Sequence, residues 1–260
     1  MMKDIQNLKD TRNVDIQKVG IKHLELPLII QRKNNSNQVV CAEAKVSVSL
    51  PRDYKGTHMS RFVEVLNEWQ TKNLLGVDIK GCLEKIIKNL DAQSGELEFS
   101  FKYFVEKKAP VTKLPALMCY DCSFEGRIYD GDYKFILGVK VPVTTLCPCS
   151  KEISDNGAHN QRAFINVKIS YDEEEHIWLE DLIEMIESCA SCPVYPLLKR
   201  EDEKFVTEKA WNNPKFVEDV LRDVVLKLRK NNIVKEFEVD CEAFESIHNH
   251  SAWAFQAEKK

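Results

Sequence analysis

The chain has 260 residues, with 37 Lys and Arg against 41 Asp and Glu, a formal net charge of −4. Hydrophobic residues make up 43% and charged residues 30%, which is enough for a real core and too apolar for a disordered chain. The mildly acidic balance argues against a dedicated nucleic-acid binder. No apolar run approaches the ~18 residues of a membrane span, and residues 1 to 15 carry no export signal. The nine cysteines are an odd count, so the expected setting is the cytoplasm with reduced thiols.

In chain order, residues 1–18 read as an N-terminal arm. Ala42, Ala44, Val46, Val48 and Leu50 alternate with polar residues as in a half-buried strand. Met59, Phe62, Val63, Leu66 and Trp69, and then Ile79, Cys82, Leu83, Ile86 and Leu90, recur at helical spacing. Leu97 to Val105 alternates again. Strands over about 118–128 and 133–141 flank Asp130-Gly131, a hairpin-turn dipeptide. The second half repeats the order. Ala163 to Ile169 forms a strand, and Leu179 to Cys189 a helix face. A second helix has Pro214 in its first turn and buries Phe216 to Leu228, and Phe237 to Ala243 forms a closing strand. Strands, two helices, then strands in each half (19–130 and 131–260) favour an α+β fold, with antiparallel sheets and helices on one face.

The densest chemistry lies in the connection from Val141 to Arg162. Cys147, Cys149 and His159 there are soft or borderline metal donors, and C-P-C allows one thiol to bind metal while the other stays free. A second segment, Glu245 to Ser251, ends the last strand with Glu245, His248 and His250, candidate ligands or acid/base groups. The charged run Leu198 to Lys204, taken alone, reads as a solvated loop. Glu218, near the start of the second helix, suits the helix dipole and is also able to accept two N–H donors from a guanine edge. His58, Ser60 and Arg61 open the first long helix, where an anion is favoured. The C-x-x-C pairs Cys119/Cys122 and Cys189/Cys192 read as core cysteines, with a shared zinc site as the minority reading.

Taken together, P-V-T-T-L-C-P-C-S-K-E-I-S-x-x-G-A-H-N-Q-R, G-T-H-M-S-R-F, L-K-R-x-D-E-K-x-V-T-E, N-P-K-F-V-E-D and E-S-I-H-N-H resemble type IB GTP cyclohydrolase I, the prokaryotic form. The resemblance implies a tunnelling fold (T-fold) with two ββααββ modules in one chain, usually assembled as a homotetramer. It implies conversion of GTP and water to 7,8-dihydroneopterin triphosphate and formate, by metal-activated water attack at guanine C8. That reaction feeds folate and, in some organisms, 7-deazaguanine tRNA nucleoside biosynthesis. Carried over by motif, Cys147, His159 and Glu203 are the metal ligands, and Cys149, Glu245 and His248 are catalytic. Glu218 anchors the purine, and His58, Ser60, Arg61, Lys199 and Arg200 are looser candidates for triphosphate contacts. Zinc suits the donors best, with manganese or iron as alternatives. The competing readings are a related pterin or deazapurine enzyme of the same fold and a non-catalytic purine-binding member.

Overall fold

The computed structural model describes residue 6 and residues 8–74 and 76–260. They form a mixed α+β fold in two compact units, Met1–Lys102 with Ser123–Leu137, and Tyr103–Cys122 with Gly138–Lys260. Among the described residues there are ten strands and six α-helices.

In the first unit, β1 (Ile16–Gln31) and β2 (Asn37–Leu50) pair antiparallel. The alternation at 42–50 holds: Ala42, Ala44, Val46, Val48 and Leu50 are all buried. Helix α1 (Met59–Trp69) buries Phe62, Val65 and Leu66. The inward stripe thus runs 62, 65, 66, and Met59 and Val63 lie off its centre, as a 3.6-residue period requires. A two-residue strand, β3 (Asn73–Leu74), pairs parallel to β1, and a 3₁₀ turn at Gly76–Asp78 leads into α2 (Ile79–Asn89). A Cβ on Gly76 would sit 2.1 Å from the Phe135 ring, so only glycine fits there.

Three long strands follow, β4 (Gly95–Lys108), β5 (Pro115–Tyr129) and β6 (Asp132–Leu146), and each contributes residues to both units. Compactness therefore groups the chain differently from a division at residue 130. Asp130 and Gly131, at φ 52° and 85°, make the turn between β5 and β6. The arm is structured before Val19. Leu8 O accepts from Lys55 N–H at 3.0 Å, Asp53 O accepts from Asp10 N–H at 3.2 Å, and β1 begins at Ile16. Residues 1–5 and 7 of the arm lie outside the described residues.

In the second unit, α3 (Pro148–Ile153) and β7 (Asn160–Tyr171) follow β6. Next come α4 (Leu179–Glu187), the two-residue β8 (Cys192–Pro193), α5 (Arg200–Asn212) and α6 (Val217–Lys230). Strands β9 (Glu236–Ala243) and β10 (Ala252–Lys259) close the chain, β9 pairing antiparallel with both β7 and β10.

Three expectations change here. The run 198–204, expected as a loop, is the start of α5. Only Asp202 and Ala210 of that helix are buried, so it carries little apolar periodicity. Pro214 stands between α5 and α6 rather than in a first turn. Helix α6 starts at Val217, with the Asp219 carboxylate accepting Phe216 N–H at 3.1 Å. The chain also adds β10 after the strand expected to close it. Among the described residues no helix is long and apolar enough to cross a membrane.

Candidate active site

Strands β6 and β7 are neighbours in the sheet, and their pairing continues one step past the ends of both. Cys147 N–H donates to His159 O at 3.1 Å. The connection between them must fold back on itself, and Pro148 starts α3 at once, its missing N–H costing nothing at a helix N-terminus. Cys147 becomes the N-cap, and its Sγ accepts Ser150 N–H at 3.3 Å. The Ser150 hydroxyl in turn accepts His159 N–H at 3.2 Å. One short helix thereby fixes both ends of the motif.

Cys147 and His159 line a cleft of about 470 Å³ with Gln161, Lys215, Glu245 and His248. The Lys215 ammonium is held by Asp223 and by Cys189 O, each at 2.7 Å. His248 donates its backbone N–H to Glu245 O at 3.2 Å, and its ring stacks on His250 with centroids 4.9 Å apart. The Glu245 carboxylate lies 3.6 Å from His159 Nδ1.

The remaining candidates are not among the residues that line this cleft. Cys149 is exposed on α3 and is not among the cleft-lining residues, since Pro148 turns the chain into helix between the two thiols. Glu218 is exposed in the first turn of α6, directly after the cleft-lining Phe216 and Val217. Its charge reaches Cys241, whose thiol is pushed up to about 12 by burial first and then by Asp240 and Glu218. Glu203 is exposed on α5 and does not line the cleft, and Lys199 and Arg200 are exposed at the same helix start. Among the described residues no three His, Cys, Asp or Glu side chains converge to hold a metal ion. In the first unit, His58 and Arg61 line a separate pocket of about 260 Å³, where Arg61 donates to Asn89 O at 2.9 Å, and Ser60 is exposed beside it.

Of the C-x-x-C cysteines, Cys122, Cys189 and Cys192 are buried, and burial raises all three thiols above the ordinary range. Cys119 is exposed on β5. Sequence reasoning passed over Gln161 and Lys215. Gln161 stands two residues after His159 at the start of a strand, where i and i+2 share a face, and that spacing was the available signal.

The model for the type I GTP cyclohydrolase folE2 family matches residues 2–254. A GTP cyclohydrolase FolE2 from Geotalea uraniireducens is 51% identical over 253 residues, covering 97% of this chain and 92% of the relative. One from Thermosipho africanus is also 51% identical, covering 97% and 96%. Among solved structures, uricase from Arthrobacter globiformis superposes with a TM-score of 0.54 at 7% identity, covering 94% of this chain and 93% of that one. Urate oxidase from Bacillus sp. TB-90 gives 0.54 at 9% identity, covering 94% and 100%. Those two likenesses concern the fold alone. The matched description is folE2, and the narrower label type IB expected from the motifs is not the one it carries. At half identity over nearly its whole length, the chain belongs to the type I GTP cyclohydrolase folE2 family.

Proposed function

We propose that this chain is a GTP cyclohydrolase I, converting GTP and water to 7,8-dihydroneopterin triphosphate and formate in the cytoplasm as the first step of folate synthesis. The observation that carries the reading is the gathering of Cys147, His159, Glu245 and His248 around one cleft in a chain of this family. The reaction opens the imidazole ring at C8, releases that carbon as formate and closes a new ring. It therefore needs several proton transfers and more than one acid/base group. His248 and Glu245 are the groups at the cleft that hold and move those protons. Exposed Cys149, beside Cys147, is the second thiol proposed to act on substrate, and Glu218 is the carboxylate proposed to accept the guanine N–H edge.

The donor chemistry at the cleft suits a divalent ion. A thiol and an imidazole are the soft and borderline ligands that zinc prefers, with manganese or iron as alternatives. Such an ion, held by Cys147 and His159, supplies Lewis acidity that lowers the pKa of water. Glu203 is the proposed third ligand; on α5 it comes one turn before Val206, which packs in one cluster with Leu146 and Ala158, the neighbours of Cys147 and His159. The proposed assembly is a homotetramer. We read the strand pairs with helices between them as two T-fold modules, whose sheets such an assembly would close. His58, Ser60, Arg61, Lys199 and Arg200 remain the proposed triphosphate contacts.

Two parallel incubations test the function. One supplies GTP, and the other a deazaguanine nitrile with NADPH, both followed by absorbance. Turnover of GTP alone supports the reading. Turnover of the nitrile alone would replace it with a reductase of the same fold, and binding of GTP without turnover would leave a purine-binding protein.

A further inference from the structure

Gln161 is only 8% exposed and touches three polar side chains. Its amide nitrogen donates to Thr145 Oγ1 at 3.1 Å and to Glu245 Oε1 at 3.3 Å, while its amide oxygen lies 2.9 Å from His159 Nδ1. The orientation of the amide follows from its neighbours. A carboxylate only accepts, so the group facing Glu245 must be the NH₂. The reverse orientation would set two acceptor oxygens against each other in a buried place and lose a charge-assisted hydrogen bond. With the NH₂ committed, the amide oxygen faces the imidazole, and an oxygen acceptor at that distance requires a proton on Nδ1. Glu245 Oε2, 3.6 Å from the same nitrogen, asks for the same proton.

We infer that Gln161 is a positioning residue that sets His159 in its Nδ1–H tautomer and so leaves Nε2 with the lone pair. A neutral imidazole binds a metal through its unprotonated nitrogen, and the hydrogen bond on the other nitrogen decides which one that is. Thr145, almost fully buried on β6, anchors the amide from behind. The inference deepens the proposed reading of His159 as a ligand, but the tautomer itself is a property of the metal-free chain. Its test is therefore independent of whether GTP is turned over.

The experiment is two-bond ¹H–¹⁵N NMR of uniformly labelled, metal-free protein, at a pH where His159 is neutral. It compares wild type with Gln161→Met and Gln161→Glu and adds zinc affinity by competition with a chromophoric chelator. Wild type should show His159 protonated on Nδ1. Gln161→Glu loses the NH₂ from which Glu245 and Thr145 accept but keeps an acceptor oxygen towards Nδ1, and should keep that tautomer. Gln161→Met removes the acceptor at 2.9 Å and leaves only Glu245 Oε2 at 3.6 Å, so it should move His159 towards the Nε2–H form, with zinc binding weakened about 10–100-fold. An Nε2–H signal in the wild type would overturn the inference outright, whether or not either variant folds. So would a Gln161→Met protein of native spectral dispersion with unchanged tautomer and unchanged zinc affinity.

Discussion

Lys107 and Glu187 form an ion pair inside the second unit, with side chains 13% and 10% exposed. The ammonium donates to Glu187 Oε1 at 2.5 Å and to Val194 O at 2.6 Å, and lies 4.5 Å from the centre of the Tyr195 ring. The same carboxylate oxygen accepts from Tyr120 OH at 2.9 Å. Burial draws the Lys107 ammonium below its ordinary 10.5 even with Glu187 opposing, so desolvation is the larger effect here. Lys107→Met leaves a buried carboxylate with one neutral donor, and breaking a buried pair in this way costs about 3–5 kcal/mol. Glu187→Gln keeps an acceptor for both donors and should cost less, on the order of 1–3 kcal/mol. The double variant Lys107→Met/Glu187→Met removes both charges, and replacing a buried pair by apolar side chains is often nearly neutral. It should therefore be more stable than Lys107→Met alone, with a coupling of about 1–3 kcal/mol. Urea unfolding followed by circular dichroism, at fixed protein concentration, measures the wild type, these three variants and Glu187→Met, the second single variant that the coupling requires. A loss below about 1 kcal/mol for Lys107→Met, or strictly additive losses in the double variant, would refute the reasoning.

Asp202 gives a pH-dependent outcome. Burial alone would raise its carboxyl, but N–H donors from Lys199, Thr112 and Val111 and the Thr112 hydroxyl outweigh that and hold it well below its ordinary 3.8. A folded value below the unfolded one means that its stabilisation is complete above about pH 4 and is lost as pH falls through the lowered value. Asp202→Asn should lower the urea midpoint at pH 7 and flatten the acid limb of a midpoint-against-pH plot; an unaltered limb would contradict the assignment. Phe62, fully buried on α1, should cost about 3–5 kcal/mol when cut to alanine, with the slope of the urea transition unchanged. Alanine at Gly131, whose φ is 85°, should cost about 1 kcal/mol, read as a drop in thermal midpoint, because nothing but the backbone conformation resists it.

Legibility in the sequence followed burial. The strand at 42–50 was readable because one face is wholly inside, and the turn at Asp130-Gly131 because both residues take positive φ. Helix α5 was not readable, since its only buried residues are a carboxylate and an alanine, and neither makes an apolar stripe. Strand β10 was missed for the opposite reason. It keeps the large side chains of Trp253 and Phe255 exposed, so nothing marked it as core. At the site, Cys147 and His159 were legible as one motif because they close the same connection. Their grouping with Glu245 and His248 depends on β7 and β9 pairing, a contact between residues about 80 apart that no local spacing encodes. Pro148 starts a helix between Cys147 and Cys149, and the motif alone does not show which of the two thiols lines the cleft.

The central claim is that this chain releases guanine C8 as formate. The direct measurement is ¹³C NMR of metal-reconstituted protein incubated with [8-¹³C]GTP, with pterin fluorescence read after oxidation and Cys149→Ala run in parallel. The account predicts labelled formate and pterin in equal amounts, both lost in the variant although it binds metal and unfolds like the wild type. No labelled formate with zinc, manganese or iron would contradict the cyclohydrolase reading. Undiminished formate from Cys149→Ala would contradict the proposed role of that thiol.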